Sequence, residues 1–321
     1  MKTTKSPRRV LVEAYLVAQG SLSCYSHRFS PRKFTQHQLF ACLVLKDFYN
    51  LTYRGVVALL RDCVNLRDAI ELTTVPHFTT LQKAADRLLL SRHFRALLET
   101  TVERAKELRI LASRPRLTAI DTSGFESNHV SRYYAGRRKK GGKQGKECKV
   151  RYRRYPKLGM LCDCDSHLIL AAKAGQGPTP DFAYFPAMLR DSSELAKPHT
   201  VIADAGFDSE ANHELARNEL GIQSLIAPFC GRPSSSEPKG RYRRAMKRHL
   251  KQSRYGQRWQ SETVFSMIKR LSGEVVSARS YWRKCRLLLL KVLTHNLSLL
   301  AALIGFLLSR SDPFFDLTKS P

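Results

Sequence analysis

The sequence predicts an α/β domain preceded by an all-α region, and three observations support this fold class. Apolar residues recur at helical spacing through the first 112 residues. Short apolar strands begin after Arg116, and later strands alternate with segments of helical pattern. A leucine-rich segment at residues 287–308 has the length and pattern of a buried helix. We therefore expect a helical region at residues 1–112, an α/β domain at 113–310 and a C-terminal tail at 311–321.

The N-terminal region is expected to consist of separate helices. Apolar periodicity predicts helices over residues 10–17, 39–48, 56–60 and 94–111. Pro76 breaks the chain, and Thr79 to Gln82 has the T-x-x-Q form of a capping box that begins a further helix toward Leu90. Two helices around a loop can form a helix-turn-helix reader of DNA or a plain packing and dimerisation region. The sequence leaves both roles open.

The α/β region shows strands and helices in a regular order. The predicted strands cover residues 117–121, 158–163, 168–174, 200–204 and 222–227, and helices are predicted at 182–190 and 209–220. The segment 287–308 is long enough to cross a bilayer, but Lys291, His295 and Asn296 interrupt it. A buried helix explains that pattern better than a membrane span. We expect a soluble, cytoplasmic protein that has no membrane partner.

The charge of the chain predicts a polyanionic partner. Lys and Arg total 55 against 27 Asp and Glu, a formal net charge of +28, and the 43% hydrophobic content excludes a wholly disordered chain. Two basic stretches, at residues 132–157 and 231–258, flank the predicted strands. They can neutralise DNA phosphates or form solvated loops, and their single sign favours phosphate contact. The candidate phosphate contacts in them are Arg137, Arg138, Lys139, Lys140, Arg243 and Arg244.

Two carboxylates mark the ends of predicted strands. Asp121 and Asp204 each close a short apolar run, at the strand end where α/β sheets usually bind ligands. Two nearby carboxylates repel each other unless a cation lies between them, and hard oxygen ligands suit Mg²⁺ or Mn²⁺. Strand-end aspartates are also common in turns, so the pair alone is weak evidence.

A predicted helix over residues 255–271 strengthens this interpretation. Arg258 and Glu262 are one turn apart, while Tyr255 and Lys269 stand seven residues to either side of Glu262. The four side chains therefore share one stripe of the predicted helix. The opposite side carries apolar residues that can pack on a sheet, namely Val264, Phe265, Ile268 and Leu271.

These segments resemble the DDE transposases of bacterial insertion sequences. Asp121 in LTAIDTSG, Asp204 in VIADAGFDS and Glu262 in YGQRWQSETVFSMIK match the catalytic triad, and the last segment keeps every spacing of the Y-x2-R-x3-E-x6-K signature. The resemblance covers residues 116–308 and indicates the IS4/IS5-like group. The short interval between Asp204 and Glu262 leaves no room for a large inserted domain and favours the IS5-like side.

The resemblance implies a reaction and an assignment of roles. Its catalytic core is RNase H-like, and Asp121, Asp204 and Glu262 hold Mg²⁺ or Mn²⁺, two ions per site. Water cuts the element's end, and the freed 3′ hydroxyl then attacks target DNA. Tyr255, Arg258 and Lys269 position the phosphates. The implied partners are the double-stranded DNA of the terminal inverted repeats and of the target, and a second copy of the chain, since two ends must be paired.

Three other functions remain open at this level. An RNase H-like nuclease cuts DNA without joining it, a domesticated binder does neither, and a basic RNA-binding protein leaves the carboxylates unexplained. The remaining polar residues are given structural roles. Asp208 is expected to cap the next helix, and the C-x-C pair of Cys162 and Cys164 lacks the second pair that a zinc site needs. No organic cofactor is expected, because residues 175–180 lack a P-loop lysine.

Overall fold

The computed structural model describes residues 3–127, 154–229, 237–250 and 253–311, with side chains to Phe306. The chain divides into two compact units, one formed by Met1–Leu111 with Leu290–Pro321 and the other by Ala112–Leu289. The longest helix contributes residues to both units. The three-region division given above stays a prediction, and its tail lies outside the described residues from position 312 onward.

The described part of the first unit contains six helices before the α/β region: the five predicted ones and a short helix at Val64–Asp68 that the periodicity does not predict. The predicted start of the fifth helix needs correction. This helix begins at Phe78, and its N-cap is His77, whose side chain accepts from the Thr79 amide, so Thr79 does not start a capping box. A capping box lies instead at Thr35 and Gln38. The six helices are α1 (Pro7–Ser21), α2 (Gln36–Phe48), α3 (Tyr53–Asp62), α4 (Val64–Asp68), α5 (Phe78–Leu88) and α6 (Ser91–Glu107).

The core of this unit is built on α1. Val10, Leu11 and Ala14 are fully buried on α1, which packs against α2 and α6. Glu13 is also buried, and its carboxylate accepts from the Arg104 guanidinium of α6 at 2.7 Å. This ion pair explains how an acidic residue can occupy a core position. The DNA-reading and dimerisation roles of these helices stay predictions.

The second unit contains the predicted mixed sheet. Its five strands are β1 (Leu117–Gly124), β2 (Tyr155–Asp163), β3 (Ile169–Gly177), β4 (Thr200–Ala203) and β5 (Gln223–Ile226), in the order β3-β2-β1-β4-β5. The first three strands pair antiparallel, and β1, β4 and β5 pair parallel. The helix α7 (Phe185–Ala196) follows a 3₁₀ turn, Asp181–Tyr184, and α8 (Glu210–Glu214) follows β4 and continues into a π-helical turn. The structure therefore confirms an α/β fold.

In the described residues after β5, two helices lie wholly within the same unit. They are α9 (Arg241–His249) and α10 (Trp259–Ser272). The helix predicted to begin at Tyr255 begins four residues later, because residues Arg254–Arg258 form a 3₁₀ turn. Val264, Phe265 and Ile268 of α10 are buried, and this helix packs on β1 and β2. The predicted apolar side of the helix is thus the side that faces the sheet.

The last helix, α11 (Tyr281–Ser311), is the leucine-rich segment. Its part from Tyr281 to Phe306 is long and apolar enough to cross a membrane, but 78% of its most apolar 18-residue window is buried within the protein. Lys291 is also buried and lies 3.8 Å from the Asp47 carboxylate. A protein core that provides an ion-pair partner accounts for a lysine at this position. The burial agrees with the expected core helix.

Candidate active site

The strand register places Asp121 beside Asp204. Ile120 of β1 pairs with Ala203, the last residue of β4, in parallel, so Asp121 and Asp204 follow this pair side by side. The prediction that Asp121 ends its strand is wrong, because β1 continues to Gly124 through its pairing with β2. Backbone amides hold both carboxylates: Thr122 N–H donates to Asp121 Oδ1 at 2.7 Å, and Gly206 N–H donates to Asp204 Oδ1 at 2.9 Å. The sheet therefore brings the first two predicted site residues together.

The pKa of Asp121 is affected by the nearby charge of Asp204. Burial and, to a lesser extent, the negative charge of Asp204 raise the pKa of Asp121 to about 6. The Thr122 amide, the Ser261 hydroxyl and the Arg258 charge act in the opposite direction. The ionised pair is therefore held at an electrostatic cost, which a cation bound between the carboxylates offsets.

The first turn of α10 contacts this pair through a residue that the sequence pattern does not indicate. Ser261 is fully buried, and its hydroxyl donates to Asp121 Oδ2 at 3.2 Å and to the Arg258 carbonyl. Ser261 directly precedes Glu262, but a serine before a glutamate has no periodicity or motif that singles it out. Only the packing of α10 on β1 shows its contact with the carboxylate.

Glu262 faces the same region but has a different partner. Its carboxylate accepts from the Arg258 guanidinium one turn earlier, at 2.5 Å, and its side chain is 57% exposed. Within the described parts of the chain, no group of three acidic, histidine or cysteine side chains is close enough to hold a metal ion. In this conformation the structure thus joins Asp121 with Asp204 and leaves Glu262 paired with Arg258.

A cleft of about 430 Å³ nevertheless connects the third carboxylate to the first. Asp121, Glu262 and Lys269 all line it. Lys269 Nζ lies 5.4 Å from the centroid of the Phe125 ring, just beyond the end of β1. Tyr255 is close enough to the pair to respond to its charge: burial raises the pKa of its hydroxyl, the charge of Arg258 lowers it, and the charges of Asp204 and Asp121 raise it.

The chemistry of these side chains fits a divalent metal. Asp121 and Asp204 provide hard carboxylate oxygens at close range, the ligands that Mg²⁺ and Mn²⁺ prefer. Glu262 lines the same cleft as Asp121, with its carboxylate paired to Arg258. The arrangement is a carboxylate pair with an acidic residue and several cations around it, which suits phosphate chemistry.

The structure separates the adjacent arginines Arg243 and Arg244, which were both predicted to contact phosphate. Arg243 makes an ion pair with Asp208 at 2.6 Å and also donates to the Phe229 carbonyl. The expectation that Asp208 caps the next helix is wrong, because the Ser209 side chain accepts from the Asn212 amide and caps α8. The Asp208 side chain is fully buried in its pair with Arg243. Arg244 is exposed and donates to the Gly240 carbonyl. The remaining four predicted contacts lie outside the described residues: Arg137, Arg138, Lys139 and Lys140.

A comparison with protein families gives a match over most of the second unit. The family described as the transposase DDE domain matches residues 112–297, more than half of the 321-residue chain. The matched segment includes Asp121, Asp204, Glu262 and Lys269. No curated protein matches the chain.

Proposed function

Because the chain belongs to the DDE transposase family, we propose that it cuts DNA at the ends of an insertion sequence and joins those ends to target DNA. The mixed five-stranded sheet flanked by helices is the RNase H-like core of that family. The observation that carries the proposal is the pair formed by Asp121 of β1 and Asp204 directly after β4, with burial and mutual repulsion raising the pKa of Asp121. A DNA-binding protein without catalysis gains nothing from such a pair.

We assign the residues of the metal site from their positions. Asp121 and Asp204 hold Mg²⁺ or Mn²⁺, with Glu262 as the third ligand, in a two-ion site. When bound, these ions supply the positive charge that activates the attacking oxygen and stabilises the leaving oxygen. Ser261 fixes the orientation of the Asp121 carboxylate by its hydrogen bond. Arg258 holds Glu262 in the metal-free chain and is available for DNA phosphate when Glu262 changes partner.

The cations around the cleft are assigned to the DNA backbone. Lys269 lines the cleft itself, and the Arg258 guanidinium can bind one phosphate through two parallel hydrogen bonds. Tyr255 lies beside the aspartates and orients the strand near the cut. Arg244 is exposed on α9 and contributes to the general attraction of DNA to a chain of net charge +28. The intact spacing of the signature residues supports the IS4/IS5-like group as the finer assignment.

The proposed reaction has two steps and no covalent protein–DNA intermediate. Water attacks the phosphodiester at the element's end and releases a 3′ hydroxyl, and that hydroxyl attacks a phosphodiester of the target. Each end of the element needs one active site, so we propose that at least a dimer assembles on paired inverted repeats. The place of action is chromosomal DNA in the cytoplasm.

A strand-transfer assay tests this function. Purified protein is mixed with labelled DNA from the gene's own flanks and supercoiled target DNA, with Mg²⁺ or Mn²⁺ present. Glu262→Gln is the test variant, and Glu219→Gln is a matched control because Glu219 is 61% exposed and pairs only with Arg190 in its described contacts. Metal-dependent joined product that Glu262→Gln lacks and Glu219→Gln retains supports the proposal. Cleavage without joining identifies a nuclease, and binding with neither activity identifies a DNA-binding remnant.

A further inference from the structure

A fourth carboxylate, Asp181, lies beside the aspartate pair. It begins the 3₁₀ turn Asp181–Tyr184 that follows β3. Its Oδ1 atom accepts a short hydrogen bond from the hydroxyl of Thr122, the residue directly after Asp121. The same oxygen forms an ion pair with Lys157 Nζ at 2.5 Å. Asp181 therefore connects β1 to a buried cation on β2.

The cation in this cluster is fixed by several partners. Lys157 is only 6% exposed. Its ammonium donates to the Thr179 carbonyl at 2.6 Å and lies 5.4 Å from the centroid of the Tyr184 ring, in addition to its ion pair with Asp181. A buried ammonium with a carboxylate, a carbonyl and an aromatic face around it has little freedom to move. Lys157 thus holds the Asp181 carboxylate in one position.

The other oxygen of Asp181 faces the turn that carries Asp204. A Cβ atom built on Gly206 lies 3.0 Å from Asp181 Oδ2 and 3.1 Å from Asp204 Oδ1. Both distances are shorter than ordinary contacts of a methyl group, so glycine leaves the room that the two carboxylates occupy. Gly206 also donates its N–H to Asp204 Oδ1. The Asp181 carboxylate therefore packs directly against the loop that orients Asp204.

The pairing of β1 with β4 stops before the two aspartates, although β1 stays paired with β2 beyond Asp121. The paired residues of β1 and β4 end at Ile120 and Ala203, one residue before Asp121 and Asp204. Two like charges at this point repel each other. The contacts of Asp181 begin where the pairing ends, with Thr122 on one side and Gly206 on the other.

From this geometry we infer that Asp181 is a positioning residue, which sets the separation of Asp121 and Asp204 through Thr122 and Gly206. This inference rests on the proposed function, because it assigns the aspartate pair to the metal site. Asp181 acts through other residues and is not itself a ligand. Its Oδ1 atom is bound by Thr122 and Lys157, and its Oδ2 atom faces Gly206.

The sharpest test uses two substitutions of Thr122. Thr122→Val keeps the shape and removes the hydroxyl, whereas Thr122→Ser keeps the hydroxyl. Mn²⁺ affinity is measured on the full chain from the free-ion electron paramagnetic resonance signal, and cleavage of labelled end DNA gives kcat and KM. We expect Thr122→Val to lower Mn²⁺ affinity and kcat by about tenfold or more, while KM for DNA stays within about twofold. Thr122→Ser is expected to remain within about threefold of wild type in both quantities.

Two further variants separate positioning from folding. Asp181→Asn is expected to reproduce the Thr122→Val result, but it leaves Lys157 buried without a negative partner and can lower stability. The double variant Asp181→Leu with Lys157→Met removes both charges together, which buried pairs often tolerate. We expect the double variant to unfold cooperatively at a temperature close to that of wild type and still to show the tenfold loss of Mn²⁺ affinity.

The outcomes distinguish this inference from the proposed function. Wild-type Mn²⁺ affinity and kcat in Thr122→Val overturn the positioning role. Loss in Asp181→Asn without loss in Thr122→Val also overturns it, because Asp181 then acts directly on the ion or the DNA. If wild-type protein neither cuts nor joins DNA, the proposed function fails, and the Mn²⁺ titration still decides whether Asp181 and Thr122 organise the aspartate pair.

Discussion

Replacing Asp121 by Asn is expected to stabilise the metal-free protein while it abolishes DNA cleavage. The asparagine keeps the shape: its Oδ1 can accept from the Thr122 amide, and its Nδ2 can donate to the Ser261 hydroxyl. It removes a carboxylate whose pKa rises from the ordinary 3.8 to about 6, mainly through burial and then through Asp204. That difference corresponds to about 3 kcal/mol at 1.36 kcal/mol per pH unit.

The sign of this effect follows from proton binding. Between pH 4 and 6 the folded protein holds a proton on Asp121 that the unfolded chain releases, so the contribution of Asp121 to stability falls as pH rises. The asparagine of the variant does not titrate and has no such loss. We therefore expect a stability gain in Asp121→Asn of about 0.5 kcal/mol at pH 4, about 1.5 kcal/mol at pH 5 and about 3 kcal/mol at pH 8.

Urea unfolding in the presence of a chelator measures this gain. Both tryptophans of the chain, Trp259 and Trp282, belong to the unit Ala112–Leu289, so their fluorescence reports the unit that contains Asp121. Asp165→Asn, an exposed residue in the turn after β2, is the control and is expected to change stability by less than about 0.5 kcal/mol. A gain that is equal at pH 4 and pH 8, or a loss at pH 8, refutes the reasoning. Millimolar Mg²⁺ should reduce the difference in free energy of unfolding between Asp121→Asn and wild type, because the ion stabilises only the wild type.

Three further predictions concern other charged groups. Arg243→Ala is expected to destabilise the protein by about 3–5 kcal/mol, because the buried Asp208 carboxylate then lacks its ion-pair partner. Arg244→Ala should leave thermal stability unchanged and weaken DNA binding. Equal melting temperatures of the two variants contradict this assignment. Burial and the Arg217 charge lower the pKa of His213 to about 4. The free energy of unfolding of this unit should therefore fall by up to about 3 kcal/mol as the pH falls from 6.5 to 4. A His213 proton signal that titrates near 6.5 in nuclear magnetic resonance contradicts this expectation. Arg258→Gln should change the free energy of unfolding by no more than about 0.5 kcal/mol, because its ion pair with the exposed Glu262 is weak. It should lower the slope of log binding constant against log salt concentration by about one. An unchanged slope shows that Arg258 does not contact a DNA phosphate.

Most of the fold could be predicted from local patterns, namely apolar runs and helical spacing. Strands in the β1 and β4 regions could be predicted because short apolar runs ended in aspartates, and the structure confirms both strands. The buried side of α10 followed from helical spacing alone, since that spacing fixes which side chains share a face. The caps of α5 and α8 were predicted wrongly, because neighbouring residues compete for the same amide groups and only the three-dimensional geometry decides between them.

The residues alone indicate an α/β chain of high positive charge, with two aspartates that follow short apolar runs and a Y-x2-R-x3-E-x6-K segment. Which side chains touch could be seen only in the folded protein. The Ser261–Asp121 bond joins residues 140 positions apart, the Thr122–Asp181 bond spans 59, and the Arg243–Asp208 pair spans 35. Helical and strand periodicity reaches only a few residues along the chain, so contacts across such intervals depend on how the elements pack. Packing therefore decides which arginine is buried in an ion pair and which carboxylate supports the aspartate pair.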